Sequence, residues 1–496
     1  MDVAVVGCGP VGLTLAALLG EAGHSVVAFE RYPGRYGLPR AASFDGETMR
    51  TFAGLGIGGE LGLHPQKTYE WRNGAGELLI AMDCPEAGPS GWPDLAMFHQ
   101  PSLEHALHAR CAAMSEVDVR YATTVTGLDQ HEDHVTLRTD HGGPVSARYV
   151  VGCDGGNSFV REALGIGQDD LGFAEPWLVC DFALRRPAAE LGLPSCLQIG
   201  DPAEPTTVLT TGARRQRFCF MLEDAGEIEE HRTEQDAWTR VARYLSREEA
   251  DLERVATYVF RSLVAHRWRE RRVLLAGDAA HQMPPFLGQG LCSGVRDAVN
   301  LAFKLDLVLR GGWDGDVLDT YQSEREPHVR GVLATSMELG RQHTLRDPAL
   351  ARERDARLVA RRGALGAPER ISLPDLGPGL LGRGGGGLSV QGRAGDGRRT
   401  GRLDDLVGGG FRLLVTEEAL PGLDLAALGA AGVEVVGFGR RPGGPVVTDP
   451  DGTHRRWLAG LGAAAAAVRP DHYVFAAGAD ARAVAAELLA VLAGRG

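Results

Sequence analysis

A glycine-rich turn near the N-terminus constrains the fold of this chain more than any other feature. Residues 3–6 are apolar and predict a short strand, and residues 13–19 have the composition of a helix packed against a sheet. Between them, Gly7, Gly9 and Gly12 form a Gly-x-Gly-x-x-Gly pattern. Glycines at this spacing permit a tight turn and let backbone N–H groups approach a pyrophosphate at the positive end of the helix. The pattern predicts a strand–turn–helix unit that binds a dinucleotide.

The next predicted strand supports this interpretation. Residues 25–29 are mostly apolar, and Glu30 follows them directly. A carboxylate at this position can accept hydrogen bonds from both hydroxyls of an adenosine ribose. A glycine-rich turn alone can exist for packing, but the strand, glycines, helix and acidic residue together favour a dinucleotide site. These residues do not distinguish NAD from FAD.

Further motifs indicate FAD by resemblance. Residues 272–281 (Arg-Val-Leu-Leu-Ala-Gly-Asp-Ala-Ala-His) and 284–290 resemble the second FAD motif of the single-component (class A) flavin-dependent aromatic hydroxylases. Residues 150–161 resemble the Asp-Gly motif that these enzymes carry between the other two. Residues 38–41 and 175–179 also match the 3-(3-hydroxyphenyl)propionate hydroxylase-like subgroup, and the polyketide-tailoring FAD monooxygenases share most of these features. The chain is thus similar to this family from its N-terminus to residue 290.

This resemblance implies a fold class and a domain arrangement. The expected fold is α/β, with an FAD-binding Rossmann-like domain of the glutathione-reductase type, an inserted, mainly antiparallel β-sheet substrate domain and a C-terminal thioredoxin-like domain. Short strands with aromatic residues between 170 and 265 independently favour such a sheet. The expected boundaries are 1–70, 97–168 and 266–330 for the discontinuous FAD domain, 71–96 and 169–265 for the substrate domain, 331–376 for a helical segment, 377–399 for a glycine-rich linker, and 400–496 for the C-terminal domain.

The same resemblance assigns residues to FAD. Glu30 and the glycine loop are expected to hold the ADP half, and Asp278 a ribityl hydroxyl, with His281 fixing the turn after it. Arg40 and Gln100 match positions that hold the pyrophosphate and the ribityl chain, and a guanidinium suits a phosphate diester. The expected cofactor-binding residues are Gly7, Gly9, Pro10, Val11, Gly12, Glu30, Arg31, Arg40, Ala41, Gln100, Val125, Asp154, Gly155, Gly277, Asp278, Pro285, Gly288, Gly290, Leu291 and Cys292.

The implied reaction is hydroxylation of a phenolic or polyketide-derived aromatic substrate by O2, through a flavin C4a-hydroperoxide formed after reduction by NADPH or NADH. The expected catalytic residues are Asp45 and Pro285. Pro285 belongs to the stretch expected beside the flavin ring, where the N–H groups of Leu291 and Cys292 face its pyrimidine oxygen. Asp45 is a candidate for removing the phenolic proton, but an aspartate before a helix is equally well an N-cap. Both roles of Asp45 stay open.

Two other functions are compatible with the motifs. One is Baeyer–Villiger oxygen insertion on the same scaffold, which product connectivity distinguishes from hydroxylation. The other is a non-catalytic flavin-binding protein whose C-terminal domain recruits a partner, which NAD(P)H oxidation stimulated by a phenol would exclude. The nicotinamide nucleotide is expected to bind only transiently, because no second glycine motif follows a predicted strand. Residues 382–387 lack that strand and predict a flexible loop.

Composition limits the partners and the compartment. The net charge of −13, without a concentrated basic run, disfavours nucleic acid as a partner. The eight cysteines show no Cys-x-x-Cys pair or metal-ligand spacing, which predicts no metal site and a reducing, cytoplasmic compartment. None follows Cys292, so thiol redox chemistry is excluded from the C-terminal domain. The alanine-rich stretch 463–468 is too short to span a bilayer and predicts a helix. No membrane association is expected, and the chain is expected to be a monomer or homodimer.

Overall fold

The computed structural model describes residues 1–223, 226, 228, 230–370 and 372–493. Parts of the predicted substrate domain, helical segment and C-terminal domain, at 224, 225, 227, 229, 371 and 494–496, lie outside the described residues. None of the described helices is long and apolar enough to cross a membrane. The helices are α1 (Pro10–Glu21), α2 (Gly46–Gly54), α3 (Gln100–Ala112), α4 (Phe159–Ala163), α5 (Glu234–Val241), α6 (Gly290–Leu309), α7 (Thr320–His343), α8 (Pro348–Leu365), α9 (Leu403–Val407), α10 (Leu425–Ala430), α11 (Thr453–Gly460) and α12 (Ala481–Ala493).

A six-stranded sheet positions the glycine-rich turn. In spatial order its strands are β18 (Arg269–Glu270), β19 (Val273–Leu275), β12 (Tyr149–Gly152), β1 (Val3–Val6), β2 (Val26–Phe29) and β8 (Val117–Arg120). All neighbours are parallel except β18 and β19. Every residue of β1 is buried, as is usual for a central strand covered on both faces. The turns after β1, β12 and β19 therefore meet at the carboxyl edge of the sheet, where ligands of such folds bind.

A second large sheet has eight strands. In spatial order its strands are β20 (His281–Gln282), β17 (Ala250–Ala265), β13 (Gln168–Leu184), β16 (Arg215–Met221), β15 (Thr206–Gly212), β14 (Cys196–Gly200), β5 (Thr68–Asn73) and β6 (Leu78–Asp83). Its neighbours are antiparallel except β14 and β5. Smaller sheets contain β9 (Val125–Gln130), β10 (Val135–Thr139) and β11 (Val145–Ala147), and β3 (Ser43–Phe44), β4 (His64–Pro65) and β7 (Ala96–Met97).

Alternate residues of β13 face two different cores, because successive side chains of a strand point to opposite sides of a sheet. Leu178 and Phe182 pack with Trp238 of α5 in a core on one face. Trp177 on the other face packs with Phe286, a residue of the loop that follows β20. This second face therefore meets the segment that the sequence predicts to lie beside the flavin.

The C-terminal part forms a separate mixed sheet. In spatial order its strands are β22 (Thr400–Arg402), β21 (Arg393–Gly395), β25 (Val446–Thr448), β24 (Val433–Gly439), β23 (Phe411–Thr416), β26 (Ala465–Val468) and β27 (Val474–Gly478). The predicted helix at 463–468 is therefore wrong. β26 is fully buried and hydrogen bonds to strands on both sides, so tertiary pairing overrides the helix propensity of its alanines.

The glycine-rich tract at 377–399 is packed against this sheet. Gly382 donates its N–H to the carbonyl of Phe475 at 2.7 Å, and Gly386 donates to the carbonyl of Val474 at 2.9 Å. A side chain at Gly385 would collide with the carbonyl oxygen of Phe475. The glycines thus allow the backbone of this tract to pack closely against β27. Residues 382–387 form a hydrogen-bonded loop, whereas the sequence predicted a flexible one. The sheet itself begins at β21, inside this tract.

A buried ionic cluster joins the C-terminal sheet to α6 and α7. Arg469 donates to both carboxylate oxygens of Glu324, at 3.0 and 2.8 Å, and to Asp471 at 3.0 Å. Lys304 also donates to Glu324 at 2.8 Å, and Asn300 bridges Glu324 and Asp471 at 2.8 and 3.0 Å. These five residues are at most 3% exposed. Because α6 begins at the predicted flavin ring, the C-terminal domain is linked directly to a helix of the candidate site.

Candidate active site

The glycine-rich turn has the shape of a phosphate cradle. Gly7 has φ of +102°, and a side chain there would collide with the carbonyl oxygen of Cys153. A Cβ at Gly12 would collide with the carbonyl oxygen of Gly7. A Cβ at Gly9, by contrast, would meet no described atom within 4 Å. Gly9 caps α1 and Pro10 is its first residue, so the free N–H groups of the first turn face this open space. This geometry fits a pyrophosphate.

Glu30 lies at the end of β2, next to this turn. Its carboxylate accepts hydrogen bonds from the backbone N–H groups of Cys8 at 3.0 Å and Tyr32 at 3.2 Å. Arg31 is exposed and its guanidinium lies 5.0 Å from the centre of the Tyr32 ring. A cavity of about 300 Å³ opens nearby, lined by Gly34, Arg35, Gly37, Tyr121 and residues of α3, and is within the size range of small-molecule sites.

Gln100 fastens the loop that carries Arg40. Its side-chain oxygen accepts hydrogen bonds from the N–H groups of Ala41 at 2.6 Å and Arg40 at 3.2 Å, and its amide donates to Glu104 at 2.7 Å. The Arg40 side chain is exposed and lies 4.3 Å from the centre of the Tyr36 ring. Gln100 is thus held by protein groups, whereas Arg40 reaches the surface of the cleft.

The Asp-Gly turn after β12 is largely structural. Asp154 accepts hydrogen bonds from the Ser158 hydroxyl at 2.5 Å and the N–H of Val160 at 3.1 Å, which anchors the start of α4. Burial raises the pKa of Asp154. Gly155 has φ of +82° and lies at the tip of the turn, and the side chain of Val125 is buried in the core. Asp154 therefore shapes the turn beside Gly7 through the hydrogen bonds of its carboxylate to Ser158 and Val160.

Asp278 lies in the turn after β19, at the carboxyl edge of the six-stranded sheet. Its side chain is accessible to solvent. The surrounding protein nevertheless desolvates the carboxylate and raises its pKa, and the charges of His281 and Arg40 oppose this rise. The neighbouring Gly277 donates its N–H to Asp297 at 3.0 Å. His281 Nε2 lies 2.6 Å from the same Asp297 carboxylate. His281 thus fixes this turn, as the sequence predicts.

Asp297 is a part of the site that sequence reasoning missed. It lies on α6, and Arg325 of α7 donates to its second oxygen at 2.9 Å. Burial opposes its ionisation, but the charges of His281 and Arg325 outweigh this effect and lower its pKa. An ionised Asp297 therefore holds the Gly277–Asp278 turn in place.

The loop from Pro285 to α6 brings free backbone N–H groups together. Pro285 is exposed and begins a short 3-10 turn. Gly288 has φ of +67°, and a Cβ there would lie 2.7 Å from the Ser43 hydroxyl. α6 begins at Gly290, and its first backbone bond runs from Ser293 to the carbonyl of Gln289 at 2.8 Å. The N–H groups of 290–292 thus have no acceptor within the helix, and they form its positive end.

The thiol of Cys292 is not in a reactive state. The residue is buried, and its Sγ lies 3.7 Å from the carbonyl oxygen of Gly288. Burial and the nearby charge of Asp45 raise its pKa to about 12. The thiolate, which is the nucleophilic form, is therefore not populated near neutral pH.

Asp45 is the N-cap of α2. Its carboxylate accepts the N–H of Thr48 at 2.9 Å and is paired with Arg296 of α6. Arg296 also donates to Glu47 at 2.7 Å and to Gln289 at 2.8 Å. Burial opposes ionisation of Asp45, but the charge of Arg296 and the bond from Thr48 lower its pKa. The N-cap alternative from the sequence is thus observed, together with an ion pair that the sequence did not reveal.

A second missed group clamps the loop before Arg40 to the eight-stranded sheet. Arg217 of β16 forms a two-bond pair with Asp181 of β13, at 2.7 and 3.1 Å, and donates to the carbonyl of Pro39 at 2.9 Å. Arg254 of β17 also donates to Pro39. The available signal was an arginine directly before the apolar run 218–221 in a predicted strand. This clamp holds the loop against the eight-stranded sheet.

The fold is the mixed α/β fold of FAD-binding monooxygenases, and comparisons with known proteins identify the family. The FAD binding domain family matches residues 1–336, and the HcaD C-terminal domain family matches residues 386–491. The chain belongs to the family of FAD-dependent aromatic hydroxylases, which confirms the resemblance seen in its motifs.

Three relatives illustrate the similarity. A probable NADH-specific resorcinol 4-hydroxylase from Rhodococcus jostii is 47% identical over 510 residues, which cover 99% of this chain and 95% of the relative. A 3-(3-hydroxy-phenyl)propionate/3-hydroxycinnamic acid hydroxylase from Mycobacterium sp. is 37% identical over 348 residues, 68% of this chain and 60% of the relative. The crystal structure of aklavinone-11 hydroxylase with FAD and aklavinone matches with a TM-score of 0.78 and 26% identity, over 100% of this chain and 99% of that one.

Proposed function

We propose that this FAD-dependent hydroxylase acts on resorcinol or a closely related small dihydroxylated benzene, with NADH as the reductant. Substrate, NADH, a proton and O2 give the hydroxylated ring, NAD⁺ and water. One observation carries the proposal: the aromatic face of the eight-stranded sheet, at Trp177, meets Phe286 of the loop beside the positive end of α6. The near full-length similarity to a relative named as an NADH-specific resorcinol hydroxylase supports the choice of substrate and reductant.

We propose that the cleft holds FAD in an extended conformation along the carboxyl edge of the six-stranded sheet. The pyrophosphate occupies the open space at Gly9, and Glu30 binds the ribose. Arg40 binds the phosphate groups, and Asp278 binds a ribityl hydroxyl. Bound FAD supplies the redox chemistry that activates O2. The chain binds and orients it and keeps water from the reacting ring.

The N-terminus of α6 is proposed to contact the pyrimidine edge of the flavin. Free N–H groups at Gly290, Leu291 and Cys292 donate hydrogen bonds, and the helix end favours negative charge. Pro285 is exposed at the start of the loop, where it contacts the ring or the substrate. The residues that fix this helix, including Arg296 and Asp297, therefore help to set the position of the flavin.

Asp45 is proposed to fix α2 and Arg296 rather than to receive the phenolic proton. A phenol has a pKa of about 10, so a carboxylate with a lowered pKa is a poor acceptor of its proton. Asp45→Asn should keep the cap, since asparagine caps helices as well as aspartate. We expect kcat to fall by no more than about tenfold, through the weakened pairing with Arg296, because losing a general base costs about 10²- to 10⁴-fold. Steady-state kinetics at saturating resorcinol measure this, and a hundredfold loss would instead assign proton transfer to Asp45.

The C-terminal sheet is proposed to be a thioredoxin-like domain with a structural role. Its strands contain no cysteine, and its buried charges bond to α6 and α7. A cytoplasmic location is also proposed, because all eight cysteines are free thiols and seven of them are buried.

The test of this function is NADH consumption by the FAD-reconstituted protein. Resorcinol should accelerate NADH oxidation, and a trihydroxybenzene should accumulate in step with it. NADPH at the same concentration serves as the matched reductant and should support a lower rate. Resorcinol without effect on NADH oxidation would contradict the proposal, and an oxygen inserted into the ring skeleton instead of a new hydroxyl would indicate Baeyer–Villiger chemistry.

A further inference from the structure

An aromatic cluster behind the flavin loop carries polar atoms that have no partner. The rings of Trp177 and His343 stack with centroids 5.7 Å apart and planes 11° apart, and Trp71 meets His343 edge-on at 5.3 Å. His343 is 0% exposed, Trp177 1% and Trp71 2%. Within the described part of the chain, the indole N–H of Trp177 and both ring nitrogens of His343 form no hydrogen bond, while the Trp71 indole lies beside the Tyr69 hydroxyl. Three unpaired nitrogens thus belong to one aromatic cluster, next to the Trp71 indole.

This arrangement is unfavourable for packing alone. Buried polar groups are almost always hydrogen bonded, because an unpaired one loses its bonds to water without replacement. Phenylalanine or leucine would fill the same space without that cost, and the grouping of several such nitrogens in one cluster beside the flavin loop points to a bound partner.

The position of the cluster links it to the reaction. Phe286 lies 5.8 Å from Trp177 and 5.6 Å from His343, centroid to centroid, and it follows Pro285 directly in the loop beside α6. His343 is the last residue of α7, and the two tryptophans lie on β5 and β13. The three rings therefore come from three separate elements that meet next to the proposed flavin ring.

The chemistry of the nitrogens selects a class of ligand. Burial, reinforced by the charge of Arg354, lowers the pKa of His343 to about 3, so its imidazole is neutral, with one donor and one acceptor. The two indoles add two donors. Arg354 itself is already bonded to the carbonyls of Gly200 and Gln342. Three neutral donors and one acceptor match the hydroxyl groups of a phenol, each of which both donates and accepts.

We propose that Trp71, Trp177 and His343 form the subsite that recognises the hydroxyl groups of a dihydroxylated benzene. The unprotonated nitrogen of His343 accepts a hydrogen bond from one hydroxyl group, and the indole N–H groups donate hydrogen bonds to hydroxyl oxygens. The three rings pack against one another, so they must move apart to admit the substrate ring. This inference rests on the proposed function and names the residues that read its substrate.

The test compares resorcinol with phenol, which lacks one hydroxyl. Both are titrated into the FAD-reconstituted protein, and binding is followed by the change in flavin absorbance. We expect the wild type to bind resorcinol at least about tenfold more tightly than phenol, because a buried hydrogen bond distinguishes the two. His343→Phe should bind both with similar affinity, and so should Trp177→Phe, which keeps an aromatic ring but removes the N–H.

A matched control and a stability measurement separate this role from a structural one. Trp238 is also buried with an unpaired indole N–H, but it lies in the core on the opposite face of the sheet. Trp238→Phe should keep the preference for resorcinol. His343→Phe should unfold at the same or a higher denaturant concentration than wild type when no phenol is present, because it removes unpaired polar atoms.

The outcomes distinguish failure of the subsite from failure of the function. If the wild type prefers resorcinol and both His343→Phe and Trp177→Phe keep that preference, the subsite is overturned while the function stands. If resorcinol neither binds the wild type nor stimulates its NADH oxidation, both proposals are overturned. A preference lost in either variant and kept in Trp238→Phe supports the subsite.

Discussion

Arg469→Met is expected to lower the free energy of unfolding by about 3 to 5 kcal/mol, the usual effect of removing one partner from a buried ion pair. Arg469 is 0% exposed and is bonded to both Glu324 and Asp471. Without its guanidinium the two carboxylates stay buried, and Lys304 is their one remaining cation among the described contacts, with Asn300 and the Leu380 N–H as neutral donors. Denaturant unfolding followed by circular dichroism measures this change.

The matched control for this prediction is an exposed arginine. Arg185 pairs with Asp251 at 2.9 Å, with side chains 56% and 71% exposed, so Arg185→Met should cost less than about 1 kcal/mol. Equal effects of the two substitutions would mean that the buried cluster does not secure the C-terminal domain.

Gly9→Ala is expected to weaken FAD binding by about tenfold to a hundredfold while leaving the apoprotein folded, since overpacking by one methyl typically costs about 1–3 kcal/mol. A Cβ at Gly9 meets no described protein atom within 4 Å, and its φ of −71° is ordinary for alanine. The added methyl therefore intrudes only on the space assigned to the pyrophosphate. Fluorescence titration of the apoprotein with FAD gives the affinity.

Gly54→Ala is the control for this substitution. Gly54 is exposed at the end of α2, and a Cβ there also meets no described atom within 4 Å. Gly54→Ala should bind FAD like the wild type. Unchanged FAD affinity in Gly9→Ala would place the pyrophosphate elsewhere, and loss of folding in that variant would show that the turn is tighter than its geometry indicates.

Local patterns revealed the first half of the site. The glycines at 7 and 12 were predictable because backbone conformation and the close approach of neighbouring chain segments require them, whereas Gly9 followed from the space that a phosphate would need. Glu30 followed from its position directly after an apolar strand. The Asp278 turn and the start of α6 were located by resemblance, because their arrangement depends on contacts between distant parts of the chain.

The buried charges could not be paired from sequence alone. Arg296, Asn300 and Lys304 recur every four residues on α6, which signals a polar stripe on an otherwise apolar helix. Their acidic partners come from distant segments, including Glu47 and Glu324, so only the folded chain reveals the pairs. The alanine-rich strand β26 shows the same limit, because its neighbours rather than its own residues decide its conformation.

The most direct test of the account is the fate of molecular oxygen. The FAD-reconstituted protein is supplied with NADH, resorcinol and isotopically labelled O2, and the product is analysed by mass spectrometry and NMR. We predict a trihydroxybenzene that carries a single labelled oxygen atom in its new hydroxyl, formed with consumption of one NADH per product molecule. Absence of the label from the product, or NADH oxidation that resorcinol does not change, would contradict the account.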